Sequence, residues 1–486
     1  MNDAPHADLF QRLLARLAKP CRVAPAVAFA AMLASLSAQR EPAAAPVAAL
    51  AAEAADRGGA RARPNLLFVL TDDQRFDQMG CAGHPVLKTP TMDRLAAEGV
   101  RFANAYVTTA ICAASRASIL TGRREGHHGY TFGTPPMGRE LAESSYAQVL
   151  RQDGYRTGFV GKWGMRFEKG VAKDAFDWRK PMGYPYRRPG KPHLTDRIAA
   201  AAIDFMQQED ERPFCLSISF HAPHADDGSK EQYYPALDLA ELYADADVAV
   251  PPLAESGFAA LPPFLQTSLG RERWGWRFDS REKQVRRTKD YWRMITGIDR
   301  ALGTITAALE ASGQADNTVI LFTSDNGYFL GERGLAGKWL IYEESIRVPL
   351  LVYDPRAPQS QRGRVVDAMA LNIDFAPTLL ELAGCDAVPA GYDGRSLVPL
   401  LAGDAPADWR TDFLYEHLFN HKKIPPSVGV RGERFVYARY ERQQPVYEQL
   451  FDLKADPEQL RNLSDDAAFA EELARMRARC SALQKL

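Results

Sequence analysis

From Pro64 onward, short continuous apolar runs alternate with stretches in which apolar positions recur every three or four residues. The first pattern reads as buried strands and the second as helices laid against them. Their alternation predicts an α/β fold built on a large, mostly parallel or mixed sheet sandwiched by helices. Strands are expected at residues 65–70, 157–160, 214–220, 318–322 and 348–353, and helices at 91–98 and 285–309. In the second helix Trp292, Ile295, Ile298, Leu302, Ile305 and Leu309 form one stripe that Gly313 stops, which is a core face and nothing more. Residues 372–383 read as a further helix with Pro377 in its first turns. After Leu401 the texture changes: a hairpin-like turn and an alternating strand at 429–440, a short strand at 448–453, and an amphipathic helix at 468–483. The expected organisation is a large α/β region over residues 64–402 and a smaller α+β C-terminal subdomain over 403–486.

Residues 1–63 stand apart. Arg12, Arg16, Lys19 and Arg22 precede an alanine-rich apolar run, and Ala/Pro-rich sequence then leads to Arg61 and Arg63. This reads as a signal peptide with a long basic start, followed by a low-complexity linker, and places the protein in the periplasm or outside the cell. The apolar run is too short for a stable membrane span.

A chain of 486 residues exceeds what one core usually supports, so a large and a small unit are expected. The formal net charge of −1 leaves no footprint for a nucleic-acid partner. Six cysteines without a C-x-x-C pair argue against a zinc site or a dense disulfide framework.

Chemically capable residues follow four of the expected strands: Asp72-Asp73, Lys162, His221 with His224, and Asp325-Asn326. In open α/β sheets ligands bind at the carboxyl ends of strands, so these groups are expected to converge. The two acidic pairs offer hard oxygen donors suited to Ca²⁺ or Mg²⁺, although singly each pair is equally a helix cap or a turn. Between them lies Cys112-Ala-Ala-Ser-Arg-Ala-Ser-Ile-Leu-Thr-Gly-Arg123, which combines a thiol, Arg116 and a short helix stopped by Gly122. Cys112 is thereby placed near a helix N-terminus, where unpaired N–H groups favour negative charge. By itself it is as readily a buried structural thiol.

The run C-A-A-S-R followed by T-G-R resembles the signature of the sulfatase family, in which this cysteine is oxidised to a formylglycine aldehyde. The resemblance extends from Pro64 to about Leu463 and is weakest over residues 225–281, an insertion of the kind that shapes a substrate pocket. It implies an alkaline-phosphatase-like fold whose C-terminal part is an antiparallel sheet packed by a helix. It also implies hydrolysis of sulfate esters and a maturation enzyme as partner. Asp72, Asp73, Asp325, Asn326 and the side chain at Cys112 would hold Ca²⁺, with Mg²⁺ as the alternative. Arg116 would orient the aldehyde hydrate, Lys162 in G-K-W and Lys338 in G-K-W-L-I-Y-E would contact sulfate, and His224 in A-P-H would serve the leaving oxygen.

Two positions depart from the family pattern. Ala114 stands where proline is commoner, and Gly164 follows G-K-W where many members have histidine. His221, His127 and His128 are the candidates to supply the missing imidazole. The substrate is expected to be a small-molecule or oligosaccharide sulfate ester, most simply a sulfated saccharide. Tyr233-Tyr234 and Trp274-Gly-Trp276 are candidate sugar-stacking clusters, and Tyr415-Glu-His417 with His421-Lys-Lys423 a candidate pocket rim. Two other readings stand beside this one: a phosphonate monoester or phosphodiester hydrolase with the same nucleophile, and a non-catalytic protein that binds sulfated ligands.

Overall fold

A computed structural model describes residues 63–171, 175–251, 253–385 and 388–486; the expected signal peptide lies outside them. Eight strands make the main sheet: β1 (Asn65–Asp72), β2 (Val100–Phe102), β3 (Arg156–Gly161), β4 (Trp178–Pro181), β5 (Phe214–Pro223), β6 (Thr318–Ser324), β7 (Leu350–Tyr353) and β8 (Arg364–Val366). Their order is β8-β2-β7-β6-β1-β5-β3-β4. Only β7 runs antiparallel to its neighbours, so the sheet is mixed but mostly parallel, as the alternation of strands and helices predicts.

A parallel strand with helices on both faces must be apolar on both, and β1 shows why its run is continuous. Leu66, Phe68 and Leu70 enter the core on one face, Leu67 and Val69 the core on the other. The helices that cover the sheet include α1 (Pro90–Glu98), α2 (Cys112–Thr121), α3 (Leu194–Met206), α4 (Arg281–Ala311) and α5 (Phe375–Leu382). The expected stripe of α4, with Ile295, Ile298, Leu302 and Ile305, meets Ile198, Ala202 and Phe205 of α3 on the Leu67 side. Phe375 and Leu379 of α5 and Ala113, Ala117 and Leu120 of α2 fill the Leu66 side.

The C-terminal strands β9 (Asp412–His417), β10 (Ser427–Gly432), β11 (Phe435–Tyr440) and β12 (Tyr447–Asp452) form an antiparallel sheet in sequential order, followed by helix α6 (Ala470–Leu483). Period-two alternation decides what each face meets. Leu414, Val430, Tyr437 and Leu450 pack with Leu473, Met476 and Cys480 of α6, while Phe413, Tyr415, Val436 and Phe451 join the core of the main sheet.

Register brings the strand ends to one edge. β1 and β6 pair in step from Asn65–Thr318 to Thr71–Ser324, so Asp72 and Asp325 leave the sheet side by side. Against β5 the register slips, from Leu70–Ser219 to Asp72–Pro223, and β5 therefore runs past its neighbours and carries His221 and His224 beyond them. β3 ends at Gly161, where a Cβ would lie 1.9 Å from the Ser219 carbonyl oxygen and only glycine fits. Lys162 follows at once, its N–H donating to that same carbonyl (2.8 Å).

Candidate active site

The strand-end residues form one buried polar cluster. Asp72, Asp73, Asp325 and Asn326 are each 1 % exposed or less. Asn326 Nδ2 donates to Asp73 Oδ1 (2.6 Å), and the Asp73 N–H donates to Asp325 Oδ1 (3.3 Å). Asp73 itself adopts a left-handed backbone, φ 68°, an uncommon conformation for a non-glycine residue that a tightly determined site can hold.

Helix α2 opens against this cluster. Ile111 provides no side-chain cap, and the first N–H groups of a helix have no partner within it, which leaves this N-terminus electropositive beside Cys112, 8 % exposed. One turn on, Arg116 reaches back into the strand ends. Its Nε donates to Asp325 Oδ2 (2.8 Å) and its Nη1 to the Lys162 carbonyl (2.9 Å) and to Ser219 Oγ. Arg116 Nη2 is buried without a hydrogen-bond partner, 3.8 Å from Asp72 Oδ2. At its far end α2 closes as expected, Gly122 at φ 64° returning its N–H to the Ser118 carbonyl (2.8 Å).

Two lysines complete the inner ring: Lys162 contacts Asp72 Oδ2, and Lys338 contacts Asp73 Oδ1. Three carboxylates (Asp72, Asp73, Asp325) thus face three cations (Arg116, Lys162, Lys338). Burial alone would push the Asp72 carboxyl up, but Lys162, His224, Lys338 and Arg116 outweigh it and hold Asp72 well below the usual carboxylate range. Asp325 moves the other way, to about 6, because burial and the charge of Asp72 exceed the pull of Arg116. Burial would lower both lysines; Asp72 for Lys162 and Asp73 for Lys338, each reinforced by Cys112, instead raise them and keep both charged.

His224 sits at the open side, Nε2 3.7 Å from Asp73 Oδ2 and Nδ1 3.0 Å from the Tyr184 hydroxyl. Burial, only partly offset by Asp72 and Asp73, lowers it to about 4. His221 offers Nε2 to the Met182 carbonyl (2.7 Å), while its buried Nδ1 has no partner. Burial and then Lys162 lower it to about 3, which puts this ring within reach of the cluster's charge.

The donor set has the chemistry of a hard-cation site. Asp72 Oδ1 and Asn326 Oδ1 are buried without any hydrogen-bond partner, an expensive condition that a bound cation would relieve. Asp72, Asp73 and His224 also bring ligand atoms within 4.8 Å of one another. Hardness separates the two sets: carboxylate and amide oxygens suit Ca²⁺ or Mg²⁺, an imidazole nitrogen does not.

The family model described as Sulfatase matches residues 64–385. The chain belongs to the sulfatase family. A second model, for the C-terminal part of N-sulphoglucosamine sulphohydrolase, matches residues 331–486 of this sulfatase. It is 29 % identical to an N-acetylglucosamine-6-O-sulfatase of Bacteroides thetaiotaomicron over 84 % of both chains. It is 30 % identical to the multifunctional alkaline phosphatase superfamily protein PehA of Trinickia caryophylli, over 84 % of this chain and 92 % of that one. Among solved structures, a complex with its substrate D-glucosamine-2-N,6-O-disulfate superposes with a TM-score of 0.76 at 27 % identity, covering 87 % of this chain and 98 % of that one. This sulfatase is therefore a hydrolase of sulfuric esters with the alkaline-phosphatase-like fold.

The structure brings together Asp72, Asp73, Cys112, Arg116, Lys162, His221, His224, Asp325, Asn326 and Lys338. It does not bring the other histidines there. His128 is held by Ser118 Oγ (3.0 Å) at Nε2 and by the Tyr130 N–H (3.0 Å) at Nδ1, with no ring nitrogen left over. His127 Nδ1 is taken by Asp393 (2.8 Å). His417, expected on a pocket rim, is fully buried in β9 and makes no hydrogen bond; Tyr415 beside it is buried too, because both point inward on the alternating strand. Among the aromatic clusters, Tyr233 is buried, and Trp274 stacks on Arg271 at 3.8 Å, within the insertion itself. Sequence reasoning missed Ser219 and Tyr184, which orient Arg116 and His224: a serine inside a strand and a tyrosine in a loop carry no local signal of such contacts. Among the described residues no helix is long and apolar enough to cross a membrane.

Proposed function

We propose that this sulfatase removes sulfate from a saccharide of the sulfated glucosamine class. In this reading Cys112 works as formylglycine, and Ca²⁺ is held by Asp72, Asp73, Asp325, Asn326 and the side chain at 112. The observation that carries it is the pair of partnerless buried oxygens, Asp72 Oδ1 and Asn326 Oδ1, ringed by Lys162, Lys338 and Arg116 at the mouth of α2. The bound cation would supply positive charge for a sulfate oxygen, and a hydroxyl of the hydrated aldehyde would supply the nucleophile.

The chain's own residues do the rest. Lys162 and Lys338, both held charged, bind the sulfate oxygens once a cation takes over the carboxylates they now contact. Arg116, fixed by Asp325 and Ser219, lies close enough to residue 112 for their charges to interact and orients the group there. His224 stands on the outer side of Asp73; neutral while the site holds no ester, it takes up a proton as the anionic ester binds beside it and passes that proton to the bridging oxygen as negative charge gathers there. Supporting the substrate class are the relatives named for N-acetylglucosamine 6-sulfate and the glucosamine disulfate complex. The amino-terminal run of basic and apolar residues supports export.

The test is a pair of measurements on the full chain. Mass spectrometry of the peptide containing residue 112 should show the CH₂–SH group replaced by an aldehyde, and glucosamine 6-sulfate should be turned over in preference to a phenylphosphonate monoester. Active enzyme with an unmodified thiol sinks the nucleophile assignment, and preference for the phosphonate replaces the substrate class.

A further inference from the structure

Beyond the inner ring, three residues after His224, the carboxylate of Asp227 is held by two arginines of one short helix, Leu269–Arg277. Arg273 Nη2 contacts Oδ2 and Arg277 Nη2 contacts Oδ1. Arg277 is itself fixed, Nε donating to Gln232 Oε1 (2.8 Å) and Nη1 to the Tyr328 hydroxyl (2.8 Å), with its side chain 0 % exposed. The Arg273 guanidinium lies 4.8 Å over the ring of Trp339, the residue after Lys338. That helix is thereby fastened beside both His224 and Lys338: to the His224 turn through Asp227, and to the Lys338 turn through Trp339.

Two arginines on one carboxylate are a poor way to gain stability, since desolvating the charges offsets most of their attraction. They are a good way to fix an acceptor. Each carboxylate oxygen has two lone-pair directions, and one arginine contact apiece leaves acceptor capacity unspent on a side chain that is 32 % exposed. Burial would raise its pKa; Arg273, Arg277, His224 and Lys338 instead lower it and keep Asp227 an acceptor only. Where His224 serves the leaving oxygen, the alcohol half of the ester lies on this side, and the groups it presents next to that oxygen are the ones Asp227 meets. An ionised, oriented, part-exposed carboxylate selects hydroxyl donors there, which a saccharide has and a simple aryl alcohol lacks.

We propose that Asp227, clamped by Arg273 and Arg277, is a specificity-determining residue that accepts a hydrogen bond from a hydroxyl group beside the sulfated oxygen of a saccharide. This rests on the saccharide reading above and names the residue that enforces it.

The experiment compares wild type, Asp227→Asn and Arg273→Lys as full-length matured chains on glucosamine 6-sulfate and 4-nitrophenyl sulfate. A hydrogen bond to a charged acceptor sets the scale, so the ratio of kcat/KM for sugar over aryl ester should fall ~10–100-fold in Asp227→Asn, mostly through KM. Arg273→Lys keeps the charge and loses the fork, and should lower the ratio less. A ratio that stays at the wild-type value in both variants, with either ester turned over, overturns the proposal. If the saccharide reading itself is wrong, the pattern differs: wild type turns over the aryl ester and not the sugar, and that result overturns both.

Discussion

At the scale of single residues, the departure from the family pattern at Gly164 has a steric counterpart. Gly164 sits at φ 67°, and a Cβ there would lie 2.9 Å from Cδ of Arg116. The arginine that braces the strand ends occupies the space a side chain at 164 would need. Gly164→Ala is therefore expected to cost ~1–2 kcal/mol for the left-handed backbone, and to lower kcat by displacing Arg116. Thermal melting and kcat measured together check this; a variant with wild-type values for both contradicts the packing argument. Lys338 offers a cleaner loss. It is 4 % exposed and held charged beside Asp73, so Lys338→Ala should reduce kcat by ~10²–10³, the usual effect of deleting one preorganised donor. A change confined to KM would instead mark Lys338 as a ground-state binding group.

At the scale of elements, α2 is buried along its whole length, and the segment after it is tied to β9 by two carboxyl groups, Glu125 and Glu416, the latter accepting from the Gly126 N–H (3.2 Å). Glu125 accepts from Thr109 Oγ1 (2.7 Å) and from the Leu418 N–H (3.4 Å), while its Oε1 is buried without a partner. Burial, against the Thr109 hydrogen bond, raises its pKa to about 8. The folded state then binds the proton more tightly than the unfolded chain. Its contribution to stability is complete below the ordinary glutamate range and is lost as pH rises through about 8. Melting temperature should fall across that window, and Glu125→Gln should flatten the fall. Parallel slopes in both proteins would show that Glu125 stays ionised in the folded state.

At the scale of the whole molecule, the main sheet and the C-terminal sheet share one core, and the strand ends of the former hold the charged cluster. Asp72, Asp73 and Asp325 balance Arg116, Lys162 and Lys338, so an added divalent cation turns the cluster positive and suits it to an anionic ester. A cation that binds the folded state alone also stabilises it, by ~2.7 kcal/mol at a hundredfold excess over Kd. Calorimetry of the full chain with chelator and then with added Ca²⁺ should show a melting temperature that drops and recovers. No movement in either step would sink the cation assignment.

The sequence by itself marked the long central elements and most of the candidate site, but not the short or edge strands β2, β4, β8 and β9, nor α3. Continuous apolar runs and a three-to-four stripe are local facts, and they predict β1, β5, β6 and α4 because a strand covered on both faces has to be apolar on both. The strand-end rule marked Asp72, Asp73, Lys162, His224, Asp325 and Asn326, each within a few residues of a readable strand end, and the C-A-A-S-R run marked Cys112 at the start of a helix. What only tertiary structure decided is direction and partnership. It tied Nε2 of His221 to the Met182 carbonyl and turned His128 to Ser118. It sank His417 into β9, and it closed Arg273 and Arg277 on Asp227 across 46 and 50 residues of chain. Such contacts depend on which way a side chain faces once two distant segments meet, and no periodicity along the chain encodes that.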